Sequence, residues 1–230
     1  MQVNVVDHVA GAQSAGGIAV VIDVFRAFSV AAYAFSRGAA TVIPVAEVDY
    51  ARELKRQHPD WLLIGERHAR PLPGFDCGNS PSDLEKLDVA GRTIIHTTHA
   101  GTQGLTNVPA SVETLTGALV NAGAIVRYLQ ARGPEVVTIV RMGHEARENS
   151  DEDDLCAELL RSRLVGQPMP VAGIRERLRQ ASSAVKFFDP ACDWAPEADF
   201  EMCTRVDEFD FVLQLDHSAN PPRLRKIAVP

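Results

Sequence analysis

Several signatures that would decide the matter quickly are missing from this chain of 230 residues. Cysteine is sparse: Cys77, Cys156, Cys192 and Cys203 are scattered, with no C-x-x-C pair and no Cys/His spacing of a zinc site. Reduced thiols in a cytosolic protein fit that usage, and a structural zinc does not. None of the four has an arginine six positions later, which excludes the Cys-x5-Arg chemistry of tyrosine phosphatases. The G-x-x-x-x-G-K-[ST] loop of P-loop NTPases is absent as well. The chain opens with no basic, apolar and small-residue series of the kind that directs secretion. No apolar run approaches the roughly 18 residues of a membrane span. The cytoplasm is therefore the expected location. No basic stretch offsets a formal net charge of −7, which argues against nucleic acid as a partner.

What is present is ordinary for a globular protein, with 46% hydrophobic and 23% charged residues. Apolar, β-branched runs alternate with helix-period segments. Strands are expected at 18–22, 41–45, 61–65, 93–96, 111–115 and 136–141, and helices at 27–37, 47–58, 101–107, 118–131 and 151–164. That alternation predicts βαβ units and an α/β fold: a mostly parallel sheet with helices on both faces, in three layers. The pattern changes at Pro168 and Pro170, beyond which a helix over 171–180 and strands at 209–215 and 223–229 are expected. A main domain over 1–166 and a smaller C-terminal α+β portion over 167–230, packing on or completing the same fold, follow from this. The connection from Glu66 to Ser80 has no period of its own, and loops that long inside a compact domain are usually functional.

Four of the strands break off into small, polar and ionisable residues: Asp23-Val-Phe-Arg26, Gly65-Glu66-Arg67, His96-Thr-Thr-His-Ala-Gly-Thr102 and Arg141-Met-Gly-His-Glu145. Ligands of open α/β sheets bind outside the carboxyl ends of the strands, so these clusters are expected to meet. Asp23 with Arg26 reads either as a metal ligand beside a phosphate-binding arginine or as a helix cap beside a surface arginine. Phe25 occupies the position where a haloacid-dehalogenase phosphatase needs a second acid, which disfavours that class. Glu66 beside Asp23 could share a hard cation such as Mg²⁺, whereas a solvent-facing Glu66–Arg67 pair is the plainer alternative. Asn79 or Ser80 before Pro81 is helix-start grammar that leaves Asp76 and the glycines around it unaccounted for. Thr97, Thr98, Gly101 and Thr102 form a phosphate-like nest between strand and helix, or a generic polar turn. The acids Asp151 to Asp154 suit the first turn of a helix, and four of them exceed what capping needs. Glu152 or Asp153 could complete a metal site or act as a base.

Taken together, Asp23-Val-Phe-Arg26-Ala-Phe-Ser29, Gly65-Glu66-Arg67 leading to Gly74-Phe-Asp76-Cys-Gly78-Asn79-Ser80-Pro81, Thr97-Thr98 with Gly101-Thr102, Gly117-Ala-Leu-Val-Asn121, and Ser150-x-Glu152-Asp153-x-x-Cys156 resemble the 2-phosphosulfolactate phosphatase family over about residues 18 to 165. The resemblance implies Mg²⁺-dependent hydrolysis of 2-phosphosulfolactate, a step of coenzyme M biosynthesis, by a cytoplasmic homodimer. It implies Asp23, Glu66, Glu152 and Asp153 as catalytic and metal-holding acids. Arg26, Arg67, Asp76, Asn79, Ser80, Thr97, Thr98, Gly101 and Thr102 would bind the small anionic substrate. The chain departs from the family pattern at His99-Ala100, one residue longer than the usual Thr-Thr-Asn-Gly-Thr, and at Arg141-Met-Gly-His, where Cys-Ala-Gly is more common. A phosphatase of another phosphorylated hydroxyacid and a non-catalytic binder of small anions are the alternatives.

Overall fold

The computed structural model describes residues 1–229. In chain order the elements are β1 (Gln2–Asp7), α1 (His8–Gln13), β2 (Ile18–Ile22), α2 (Ala27–Ser36), β3 (Thr41–Pro44), α3 (Val48–Gln57), β4 (Leu62–Arg67), β5 (Arg70–Pro71), α4 (Pro81–Leu84), β6 (Thr93–Thr97), α5 (Gly101–Asn107), β7 (Glu113–Gly117), α6 (Ala122–Arg132), β8 (Val136–Arg141), α7 (Asp151–Leu164), α8 (Ile174–Arg179), α9 (Glu197–Cys203), β9 (Phe211–Asp216) and β10 (Arg223–Ala228). Ten strands form one sheet in the order β1-β8-β2-β7-β9-β10-β3-β6-β4-β5. The fold is α/β and its sheet is mostly parallel.

Parallel pairing runs through β1, β8, β2 and β7 on one side and through β3, β6 and β4 on the other. The antiparallel hairpin β9–β10 lies between these blocks. It touches each through a single register pair, Leu115 with Gln214 and Val42 with Leu224.

Alternation along the strands builds the layers, because successive side chains leave opposite faces. Ala19 and Val21 of β2 join a core cluster with α2 and Leu105 of α5, while Ile18, Val20 and Ile22 join a second cluster with α6 and α7. In the other block Ile94 faces the α2 side, and Ile95 packs with Ala51 and Leu54 of α3. All five residues of β2 are buried, as expected of a strand covered on both faces. Its apolar run ends at Asp23.

Some boundaries differ from expectation for local reasons. Ser111 and Val112 lie in a turn closed by the Val112 amide donating to the Pro109 carbonyl, so β7 starts two residues late. The helix expected at Ala118 is a short 3-10 turn over Leu119–Asn121 before α6, held by the Ala118 amide donating to Asn121 Oδ1. The strand β1 and helix α1 were not expected, since β1 is a partly exposed edge strand whose pattern resembles a loop. Among the described residues no helix is long and apolar enough to cross a membrane.

Candidate active site

The exits of β2, β4, β6 and β8 meet around a cavity of about 310 Å³, whose wall includes Asp23, Arg26, Glu66, Asn79, His99, Glu145, Glu152 and Lys186. Acids thus reach one space from separate parts of the chain, among them Asp23, Glu66 and Glu152. Asp23 follows β2, and its Oδ1 accepts a 3.0 Å hydrogen bond from the Ala27 amide at the start of α2. Burial pushes the Asp23 carboxyl up to about 7, with the neighbouring Glu66 and Glu152 adding to the shift. Glu66 accepts 2.7 Å bonds from the His99 amide on Oε1 and the Ala69 amide on Oε2. Glu152 sits in the first turn of α7, buried, with Oε2 lacking any hydrogen-bond partner.

Asp153 plays a different part. Its Oδ1 accepts from the Val24 amide at 2.9 Å and its Oδ2 from the Gly143 amide at 2.8 Å, so it ties the exits of β2 and β8 together. Burial, then Glu152 and Asp23, raise its carboxyl well above the usual range. It does not line the cavity.

The remaining expected residues divide in the same way. Arg26 lines the cavity, yet one of its terminal nitrogens donates to Asp199 Oδ2 and the Trp194 carbonyl and the other to the Ala69 carbonyl. Asn79 lines the cavity and pairs with His96 Nε2 at 3.1 Å. Burial, with Arg67 nearby, holds His96 down to about 4, so it is neutral at physiological pH. Ser80 caps α4 by accepting from the Asp83 amide, and it donates to Asp199 Oδ1 at 2.8 Å. Arg67 is absent from the cavity wall: it donates to the carbonyls of Glu66 and Ala46 and to Thr97 Oγ1. Burial lowers its pKa. Thr98 and Thr102 bond to each other at the start of α5 and are buried. Gly101 approaches Asp23 so closely that a Cβ there would lie 2.7 Å from Oδ2. Asp76 is not brought to the cavity; it is exposed and binds the Leu63 amide and Lys55. The Cys156 thiol, pushed up by burial, belongs to the core beneath α7.

Two residues of the C-terminal part went unread in the sequence. Lys186 lines the cavity, its pKa lowered by burial and held up by Glu152. Asp199, fully buried on α9, gathers Arg26, Ser80 and both the amide and hydroxyl of Ser82. Neither follows a strand or belongs to a motif of the kind that marks the other candidates. A lysine in Lys186-Phe-Phe188 and an acid on an apolar helix face at Asp199 were the available hints.

An α/β sheet whose strand exits close on a carboxylate-lined cavity with a half-buried lysine is the framework of a protein that takes up a small polar ligand at the carboxyl ends of its strands. The chain belongs to the 2-phosphosulpholactate phosphatase family, whose model matches residues 4–218. It is 31% identical over 216 residues to a Bacillus subtilis protein named "Probable 2-phosphosulfolactate phosphatase", covering 92% of each chain. A Thermotoga petrophila protein of the same name is 35% identical over 206 residues, 84% of this chain and 87% of that one. With a Caldanaerobacter subterraneus protein, again of that name, the identity is 41% over 135 residues, 58% of this chain and 56% of the relative.

Proposed function

We propose that this chain is a phosphoric monoester hydrolase that converts 2-phosphosulfolactate and water to sulfolactate and inorganic phosphate with the help of Mg²⁺. The observation that carries the reading is the convergence of Asp23, Glu66 and Glu152 on one cavity, with Glu152 Oε2 buried and without a partner. Buried carboxylate oxygens are normally satisfied, and an all-oxygen set of this kind suits a hard cation. Asp23, Glu66 and Glu152 would hold the Mg²⁺; Asp153, with both oxygens engaged by backbone amides, would brace the loops instead. Bound there, the cation would neutralise charge on the transferring phosphoryl group.

The chain's own groups do the rest. Lys186 supplies positive charge inside the cavity, and Asn79 supplies a polar edge oriented by neutral His96. Asp199 fixes Arg26 and Ser80 before substrate arrives, so their placement costs little on binding. A substrate carrying phosphate, sulfonate and carboxylate groups suits a cavity where cations and a metal offset the acids. The family likeness also leads to the reading of a cytoplasmic homodimer whose product enters coenzyme M biosynthesis.

Phosphate release from racemic 2-phosphosulfolactate, phosphoglycolate, phospholactate and p-nitrophenyl phosphate, each with Mg²⁺ and with EDTA, tests the reading. Mg²⁺-dependent release strongest from 2-phosphosulfolactate is expected. A different preferred ester discards the substrate, equal rates in EDTA discard the metal, and no release from a folded protein discards the enzyme.

A further inference from the structure

We propose that His68, His99 and Glu145 form a second cation site, at the rim of the cavity, for a borderline divalent metal of the Zn²⁺ class. The three residues come from three strand exits, after β4, β6 and β8, and one ligand atom from each lies within 4.8 Å of the others. His68 Nδ1 is 2.5 Å from Glu145 Oε1, and His99 Nδ1 is 3.9 Å from the same oxygen. The two imidazole rings meet edge to face with centroids 4.7 Å apart. Ligands about 2.0–2.1 Å from a tetrahedral zinc lie roughly 3.3–3.5 Å from one another. The observed separations bracket that spacing, so small side-chain rotations close the site.

An ordinary ion pair accounts for His68 and Glu145, but it leaves His99 unexplained. Its Nδ1 is buried without a hydrogen-bond partner and faces the carboxylate that already pairs with His68. A metal shared by the three groups satisfies all of them. His68 and Glu145 both hold left-handed backbone conformations, φ 52° in each, which are uncommon for residues other than glycine. The turns that present these ligands are therefore specifically shaped.

The donor set separates this site from the carboxylate centre. Imidazole nitrogen suits zinc and its neighbours, whereas carboxylates alone suit Mg²⁺. Two histidines and a glutamate also form a known donor set for zinc that keeps a coordination position open. His99 and Glu145 line the cavity, so a cation held there borders the space open to an anionic ligand. The His99 amide donates to Glu66 Oε1, which joins the two centres through one residue.

The test is Zn²⁺ titration by calorimetry, with Mg²⁺ in large excess, on the full chain and on His68→Ala, His99→Ala and Glu145→Gln. Co²⁺ serves as the visible probe of coordination. The wild type should take up one equivalent of Zn²⁺, and each variant should bind it roughly 100-fold more weakly and lose the Co²⁺ bands, since loss of even an outer-shell partner costs 10- to 100-fold. Melting in EDTA should show His68→Ala folded, with at most a small shift from the wild type, because that side chain is exposed and gives up only a surface ion pair; His68→Ala therefore decides the question if another variant fails to fold. Zn²⁺ binding of equal affinity and stoichiometry in the wild type and His68→Ala, or no uptake by the wild type, overturns the proposal.

Discussion

Arg26 and Asp199 form an ion pair shielded from water, with side chains 2% and 0% exposed, although 173 positions separate them in the chain. Breaking a buried pair from one side leaves an uncompensated charge, which costs about 3–5 kcal/mol. Asp199→Ala also strips the acceptor from Ser80 and Ser82. Urea unfolding should show that loss for Asp199→Ala. The double variant Arg26→Met with Asp199→Leu should recover part of it, because it removes the uncompensated charge while still leaving Ser80 and Ser82 without their acceptor. Equal losses in the single and double variants would show that the charge imbalance is not the cause.

The neutrality of His96 makes stability fall in mild acid. Its pKa is lowered from 6.5 to about 4, so between those values the unfolded chain takes a proton that the folded chain refuses. The stability it protects is complete above pH 6.5 and is lost as pH falls toward 4. At pH 4.5 the loss is about 2–3 kcal/mol, using 1.36 kcal/mol per pKa unit. His96→Gln keeps a donor for Asn79 Oδ1 and does not titrate. Wild type should therefore lose stability relative to His96→Gln between pH 7 and pH 4.5, and parallel curves for the two proteins would refute the assignment.

The parts of the site that could be read in the sequence are those where a buried apolar strand ends abruptly. Asp23 and Glu66 stand at such ends, and Ser80 before Pro81 announces a capped helix, because local grammar determines each of these. Spacing does not encode where a side chain spends its polar atoms. Arg67, Thr98 and Thr102 look like ligand groups in the sequence and are engaged with protein instead. Asp153 is close to Glu152 in sequence and yet binds two loop amides. Lys186 and Asp199 arrive by tertiary packing of the C-terminal part, where neither stands at the end of an apolar strand. The strand β1 escaped notice because its residues are only partly buried along an edge.

Asp23 has a cost in the metal-free protein. Its pKa is raised from 3.8 to about 7, so the folded chain holds that proton more tightly than the unfolded one, and ionisation penalises folding increasingly from pH 4 to 7. Asp23→Asn removes the charge and retains Oδ1 as acceptor for the Ala27 amide. In EDTA at pH 8 this variant should be more stable than wild type by on the order of 4 kcal/mol, with the gap shrinking toward pH 4. It should at the same time lose Mg²⁺-dependent phosphate release, a trade common at sites built for function. An apo variant no more stable than wild type at pH 8 would remove the argument for charge crowding.

Gly101 tests whether the position of Asp23 matters as much as its chemistry. A methyl group at 101 would lie 2.7 Å from Asp23 Oδ2 and 2.8 Å from Ala27 Cβ, so one of them must move. Ala27 is fixed in a buried helix, which leaves the carboxylate as the group that yields. Overpacking of this sort costs about 1–3 kcal/mol, while displacement of a reacting group by about 1 Å costs on the order of 100-fold in rate. Gly101→Ala should therefore remain folded at 25 °C with kcat for phosphate release down roughly 100-fold. If the variant loses stability as expected and keeps its kcat, Asp23 has no positional role in the proposed reaction.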